Sequence, residues 1–131
     1  MAKEIIVSSE IPKPMGPYSQ AVSATGSKFV FISGQVPEDA QGKLIGKGDI
    51  EKQTRQVLKN IKTMVERSGG TVADIVKITI FMVDINPSSY EIVAGLRRKF
   101  FGGDYPASSL VEVQRLASPD WLIEIEALTV V

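Results

Sequence analysis

Two residue types are missing from this chain of 131 residues, which contains neither cysteine nor histidine. Without cysteine there is no disulfide, no thiolate nucleophile and little basis for a structural zinc site. Without histidine the chain lacks the commonest general base and metal ligand of enzymes. Any catalysis must therefore use carboxylates, hydroxyls, lysine, arginine or backbone groups, and we expect no metal and no cofactor.

Net charge is also missing, since 15 Lys and Arg residues balance 15 Asp and Glu residues. A neutral chain has no long-range field that gathers phosphates or holds an anionic membrane surface, so we expect no nucleic-acid partner. No apolar run reaches the ~20 residues that span a bilayer, and the first ten residues lack the apolar core of a signal peptide. The length suits a single domain over residues 1–131, which we expect in the cytoplasm.

Hydrophobic periodicity predicts a first helix from Asp49 to Ser68. Apolar residues recur there at intervals of three, four and seven, as on one stripe of a helix. Asp49 is the predicted N-cap, and the glycine pair at Gly69 is the predicted end. The stripe consists of Ile50, Val57, Leu58, Ile61, Met64 and Val65.

A second helix is predicted to begin at Ser88 and to end at Phe101. Ser88 and Glu91 have the spacing of a capping box, in which each side chain bonds the other residue's backbone amide. The glycines that follow Phe101 are typical helix terminators.

The remaining segments favour strands through β-branched and aromatic residues flanked by turns. The apolar run from Phe29 to Ile32 is typical of a strand buried on both faces, and the segment beginning at Ile75 is predicted to be central. The order of elements predicts an α+β domain with both helices on one face of a mixed sheet. The other face then needs a cover, which favours oligomerisation. The predicted strands are Lys3–Val7, Gln20–Ala24, Lys28–Gly34, Ile75–Val83, Ser108–Leu116 and Leu122–Val130.

Several polar residues stand where strands begin or end. Tyr18 follows Gly-Pro in a loop that enters a strand, and Gly34 after Ser33 permits the close approach of another group. The hydroxyl pair Ser108 and Ser109 follows a proline at an expected edge strand, but it forms no hydrolase triad because histidine is absent. Taken one at a time, these motifs are more typical of ordinary turns.

Two carboxylates alternate with isoleucine in the last strand, Ile123-Glu124-Ile125-Glu126. A strand directs Glu124 and Glu126 to one face and both isoleucines to the other. Enclosure of that face would raise the pKa of one carboxyl and suit it to acid or base catalysis. Spacing alone favours a solvated face.

Taken in order, the motifs resemble those of the Rid family of reactive intermediate deaminases, also called YjgF-like. They are GPYSQA at 16–21, SGQ at 33–35, VKITIF at 76–81, YPASSLVEV at 105–113 and IEIEA at 123–127. The resemblance covers nearly the whole chain. It implies a chorismate-mutase-like α+β fold with a six-stranded mixed sheet, two helices on one face, and a homotrimer with clefts between subunits. It also implies cytosolic hydrolysis of the imines 2-iminobutanoate and 2-iminopropanoate to 2-oxo acids and ammonia, without a cofactor.

The resemblance also assigns roles to individual residues. Glu124 corresponds to the carboxylate that positions water, and Tyr18 lies at the mouth of the cleft. The other substrate-binding positions are Ser33, Gly34, Ser109 and Leu110.

One position departs from the family pattern in a way that bears on function. The family's arginine after YPA, which pairs with the substrate carboxylate, is Ser108 here, so the second catalytic position carries only a neutral hydroxyl. Other departures are Ala94, in place of a helix asparagine, and Leu110, in place of a frequent cysteine. The missing cation must come from elsewhere if a carboxylate is still bound, and the candidates are Arg97, Arg98 and Arg115.

Three functions therefore stay open. The first is an imine deaminase that uses Glu124, the second is a trimer that binds a small ligand or acts in regulation without deaminating it, and the third is a ribonuclease or an inhibitor of translation. Balanced charge and the absence of histidine disfavour the third.

Overall fold

Six strands and two helices follow one another in a computed structural model that describes residues 1–131. A short 3-10 turn, Val72–Asp74, precedes β4. The predicted α+β class, with two helices and six strands, is confirmed. Neither helix is long and apolar enough to cross a membrane. The elements are β1 (Ala2–Ile6), β2 (Ala21–Thr25), β3 (Phe29–Gln35), α1 (Ile50–Arg67), β4 (Ile75–Met82), α2 (Pro87–Phe101), β5 (Ala107–Glu112) and β6 (Ile123–Val130).

The six strands are hydrogen-bonded in two groups. Four form a mixed sheet in the order β3-β6-β4-β5, in which only β4 and β5 are parallel, while β1 and β2 form a separate antiparallel pair. The predicted central place of β4 is confirmed, and β5 is an edge strand that begins directly after Pro106. Lys3 ties β1 to the main sheet, because its amino group donates to the carbonyl oxygens of Ala73 and Ile75 at 3.3 and 3.1 Å.

The core lies between the two helices and one face of the four-stranded sheet. On α1 the buried apolar residues are Val57, Leu58, Ile61 and Val65, as the stripe predicts. Met64 is the exception, since 47% of it is exposed. Each fully buried aliphatic side chain contributes about 1.5–3 kcal/mol, so this layer holds the helices in place.

The two helices begin at different kinds of cap. Asp49 caps α1 as predicted, and its carboxylate accepts the amide of Lys52 at 3.0 Å. The predicted capping box of α2 is wrong: Asn86 and Ser89 form it, through bonds of 2.9 Å in both directions. Pro87 sets the backbone angle of the first helical turn, and the cap of α2 lies two residues before the predicted Ser88.

The face of the sheet opposite the helices is uncovered, and we call it the open face. The prediction that β3 is buried on both sides is wrong, because Phe29 and Phe31 are 60% and 78% exposed there. Their neighbour Ile32 points into the core and is 6% exposed. The chain thus leaves two aromatic rings in solvent on one strand.

The fifth strand is shorter than predicted and ends at Glu112 instead of Leu116. Its only neighbour, β4, ends at Met82, whose carbonyl accepts the amide of Val113 at 2.8 Å. Beyond that bond no backbone is left to pair with, so the chain leaves the sheet. It returns through a turn in which the backbone amide of Trp121 donates to the carbonyl of Ser118 at 3.2 Å.

Candidate functional site

The predicted site residues lie on opposite faces of the four-stranded sheet. Ser108 pairs with Ile78, a buried core residue, so its side chain points toward the helices. Glu124 pairs with Phe81, which alternates with the core residues of β4, and therefore points to the open face. Within one chain the two predicted catalytic residues do not meet.

The open-face half of the site centres on Glu124 and Gly34. A Cβ atom added to Gly34 would lie 2.0 Å from Oε2 of Glu124, so only glycine allows the carboxylate to lie over the end of β3. Partial burial raises the pKa of Glu124, and the like charge of Glu126 raises it further. Both isoleucines that flank Glu124 are fully buried, which confirms the predicted alternation.

A shallow cavity of about 280 Å³ lies on the open face, and the carboxylate residue that lines it is Glu126, not Glu124. Ser33 lines it, and Lys77 brings a positive charge into the same surface. The amino group of Lys77 donates to Oγ of Ser109 at 2.9 Å. Ser109 therefore faces away from Ser108 and belongs to the open-face half of the site.

The helix-face half of the site contains Ser108 and an arginine of α2. The guanidinium of Arg97 donates from Nη2 to Oγ of Ser108 at 3.2 Å and to the carbonyl oxygen of Pro17 at 3.1 Å. Arg97 is only 3% exposed. Leu110 packs against the hydrophobic core on this side, so in a single chain it serves as a packing residue.

The loop that carries Tyr18 docks onto the start of β5, close to Ser108. The amide of Ser19 donates to the carbonyl of Pro106 at 3.1 Å, and its hydroxyl donates to the carbonyl of Tyr105. The Tyr18 hydroxyl accepts the amide of Met15 at 3.3 Å. This loop thus places Tyr18 in the helix-face half.

Of the three arginines considered as substitutes for the missing family arginine, only Arg97 contacts Ser108. Arg98 is exposed. Arg115 donates to the carbonyls of Leu116 and Ala117, at 3.0 and 3.1 Å, in its own loop. A sequence signal for Arg97 exists, because it follows the buried Val93 by one helical turn and so occupies the apolar side of α2.

Charge is poorly compensated at Arg97. The two ion pairs of the chain are Arg55–Glu51 and Lys62–Glu66, and neither involves it. Burial lowers the pKa of Arg97; the nearby Tyr90 acts in the opposite direction and Arg98 adds to the lowering. The guanidinium remains protonated at neutral pH even so, because its ordinary pKa lies far above 7.

Comparison with known proteins places this arrangement in a family. The profile described as Endoribonuclease L-PSP matches residues 8–131. A RutC family protein of Pyrococcus horikoshii is 45% identical over 126 residues, which cover 96% of each chain. The chain belongs to this family, the Rid family.

Two solved structures of Rid proteins show the same architecture. The conserved Rid family protein YyfB of Yersinia pestis, whose function is unknown, superposes with a TM-score of 0.93 at 33% identity and 100% coverage of both chains. TdcF of E. coli, solved with bound serine, superposes with a TM-score of 0.68 at 36% identity, covering 97% of this chain and 98% of that one. The Rid fold predicted from the motifs is therefore confirmed.

The helix-face half differs in chemistry from what the Rid resemblance implies. Ala94, at the family's asparagine position, is fully buried on α2. Three residues later, Arg97 carries a cation to the hydroxyl of Ser108. A cation of α2 therefore contacts the residue that stands at the family's arginine position on β5.

Proposed function

We propose that this Rid protein hydrolyses reactive imines such as 2-iminobutanoate and 2-iminopropanoate in the cytosol, giving 2-oxo acids and ammonia. The observation that carries the proposal is the Glu124 carboxylate, which lies over Gly34 with a raised pKa. A carboxylate of raised basicity, fixed at a strand end, suits the task of orienting and deprotonating water.

The reaction needs no cofactor. Glu124 accepts a proton from water as the water oxygen bonds to the carbon of the protonated imine, whose nitrogen becomes a neutral amine. Glu124 then returns this proton to the nitrogen and accepts the proton of the new hydroxyl as the carbon–nitrogen bond breaks, so the carbonyl forms and ammonia leaves. The last proton passes from Glu124 to ammonia, which restores the carboxylate. The net change is the consumption of one water for each imine, with no oxidation or reduction.

We further propose that the protein works as a homotrimer, whose clefts each join the two half-sites from neighbouring copies. Glu124 and Ser108 face opposite sides of one sheet, so a second copy is needed to bring such groups together. The exposed rings of Phe29 and Phe31 offer an apolar surface for that contact. The serine bound to the relative TdcF supports a small amino-acid-like ligand.

A coupled assay tests the reaction. A PLP-dependent dehydratase releases 2-aminoacrylate or its imine from serine, and the added protein is scored by faster formation of pyruvate. We expect acceleration by the unmodified chain, a loss of at least about a hundredfold in Glu124→Gln, and little change in Glu91→Gln, the matched change at an exposed carboxylate of α2. Equal activity of Glu124→Gln and the unmodified chain would remove Glu124 from the mechanism.

Sedimentation tests the assembly separately from the chemistry. We expect a particle three times the 14.2 kDa chain mass. Phe31→Lys should dissociate it, because a charge then replaces an aromatic ring on the open face. Met64→Lys is the matched control, since Met64 is 47% exposed on α1, away from that face. A monomeric unmodified chain would refute the trimer.

A second candidate function is ligand binding without deamination, and Ser108 is the observation that favours it. The neutral hydroxyl cannot form the bidentate ion pair that an arginine forms with a carboxylate. Assaying Ser108→Arg beside the unmodified chain separates the two functions. Imine hydrolysis by the arginine variant alone would make the natural chain a binding protein, whereas hydrolysis by the unmodified chain rejects this alternative.

A further inference from the structure

The guanidinium of Arg97 is a buried cation without a counter-ion. Only 3% of the residue is exposed, and neither ion pair of the chain includes it. The other four arginines are exposed and need no such partner. A charge removed from water is tolerated when an opposite charge or a full set of hydrogen bonds replaces the lost hydration. Arg97 has neither within its own chain.

The hydrogen-bond inventory of Arg97 shows where a partner is lacking. Both hydrogen bonds come from Nη2, to Ser108 and to the carbonyl of Pro17. Nε is fully buried and has no acceptor. Nη1 has no bond within the chain either and, unlike Nε, keeps contact with solvent. The open end of the guanidinium is therefore Nη1.

We propose that Arg97 is a carboxylate-binding residue whose guanidinium holds the α-carboxylate of a small ligand at the Nη1 end, while Ser108 and Pro17 fix it from Nη2. A planar fork of donors matches a carboxylate better than a spherical anion or a neutral group. Ser108 adds specificity, since its hydroxyl can rotate to donate to the same carboxylate.

Position and size support this assignment. Tyr18 follows Pro17 directly, so a carboxylate on Arg97 places the rest of the ligand beside the loop of the helix-face half. The hydroxyl of Ser108 contacts Nη2 and not Nη1, so it leaves the Nη1 end of Arg97 free. The choice of a 2-oxo acid as ligand rests on the proposed function, but the anchoring of a carboxylate does not.

The test compares two ligands that differ in charge alone, 2-oxobutanoate and its primary amide, by calorimetric titration. We expect the unmodified chain to bind the acid at least about tenfold more tightly than the amide. Arg97→Gln should abolish this preference, and Arg98→Gln, a change at the adjacent exposed arginine, should keep it. Equal binding of both ligands by the unmodified chain, or binding of neither, would overturn the proposal.

A purely structural clamp gives a different result. Arg97→Gln would then weaken both ligands equally and lower the melting temperature, which overturns the proposal. If that variant fails to fold, the unmodified chain labelled with ¹⁵N-arginine decides. The Nε–H resonance of Arg97, assigned by substituting the four exposed arginines, should shift with 2-oxobutanoate and not with the amide. No shift with either ligand would also overturn it.

These measurements are independent of imine hydrolysis. A chain that prefers the acid through Arg97 but does not accelerate hydrolysis would defeat the proposed function and leave the anchor standing. The double variant Arg97→Gln with Ser108→Arg provides a rescue test, because it returns the cation to the strand. Recovery of the preference for the acid is expected, and continued indifference to charge would count against a carboxylate anchor here.

Discussion

Each helix of this protein buries one long polar side chain, and the two side chains differ in how fully they are hydrogen-bonded. Gln53 on α1 is fully buried, and its amide donates to the carbonyls of Gly46 and Asp120 and accepts the amide of Leu122. Arg97 on α2 is almost as buried, yet only one of its three nitrogens is hydrogen-bonded. Gln53 has its hydrogen-bonding partners within the fold, whereas Arg97 lacks them, as expected if a ligand completes its contacts.

The two side chains differ because a neutral amide and a charged guanidinium lose different amounts of hydration free energy on burial. The neutral amide of Gln53 loses only hydrogen bonds with water, and three protein bonds of 3.1, 2.9 and 2.7 Å replace them. A guanidinium also loses the solvation of its charge, which neutral acceptors replace poorly. Substitutions that remove each group should therefore have unequal effects on stability.

The largest effect is expected from Gln53→Leu, which keeps the volume but leaves three backbone groups without partners. We expect a loss of about 3 kcal/mol in the free energy of unfolding, measured by urea titration. Gln56→Leu is the matched control, because the Gln56 amide bonds only Asn60, and it should cost less than about 1 kcal/mol. Equal costs for the two variants would contradict the structural role given to Gln53.

Gly34→Ala tests the open face, where the absence of a side chain at Gly34 leaves room for the carboxylate of Glu124. The added methyl would lie 2.0 Å from Oε2 of Glu124, so that side chain must move. We expect a cost of about 1–2 kcal/mol, because the flexible side chain yields, and a loss of imine hydrolysis of tenfold or more.

Gly95→Ala is the control for Gly34→Ala. No atom lies within 4 Å of a Cβ at Gly95, which is in the middle of α2. Alanine there should raise the free energy of unfolding by up to about 1 kcal/mol and leave hydrolysis unchanged. If Gly34→Ala retained full activity, the contact between Gly34 and Glu124 would have no part in the reaction.

Much of the fold could be predicted because local signals agreed with tertiary packing. Asp49 capped a strong apolar stripe, so the start of α1 was predicted to the residue. The start of α2 was not, since both Ser88 and Asn86 have a residue at the spacing of a capping box. Pro87, which favours the first helical position, is consistent with Asn86 as the observed cap. The exposure of Phe31 could not be predicted, because an apolar sequence does not show whether its side chains lie in the core or on an exposed face.

The site was harder to predict because it depends on contacts between distant segments. Arg97 and Pro17 are 80 residues apart in sequence, and nothing local indicates their hydrogen bond. A strand pattern does place Ser108 and Ser109 on opposite faces. It does not show that one faces a buried guanidinium and the other Lys77. Tertiary structure alone supplies those partners.

Arg97→Met tests whether the Arg97 side chain stabilises the fold as Gln53 does. Methionine fills most of the volume and removes the uncompensated charge, although the carbonyl of Pro17 and the hydroxyl of Ser108 lose a donor. These opposing effects should leave the free energy of unfolding within about 1 kcal/mol of the unmodified chain. Urea titration beside Gln53→Leu gives the measurement. A loss as large as that of Gln53→Leu would mean that Arg97 is a structural residue of the same kind.

Glu124→Gln is expected to have the smallest effect on the free energy of unfolding, because this carboxyl is only partly buried, unlike the side chains of Gln53 and Arg97. Its pKa is raised in the folded state, so the folded chain holds the proton more tightly than the unfolded chain. Stability therefore falls as pH rises from the ordinary carboxyl pKa through the folded value. Glutamine does not titrate, and the variant should be slightly more stable than the unmodified chain at pH 7.

The pH profile distinguishes this explanation from a general gain in packing. Thermal unfolding should give a melting temperature about one degree higher for Glu124→Gln at pH 7, and the difference should shrink as the pH falls below the ordinary carboxyl pKa, where the carboxyl becomes protonated in both states. A difference that stays constant across this range would contradict the raised pKa. Loss of activity together with gain of stability would mark Glu124 as a residue that is costly to the fold and retained for chemistry.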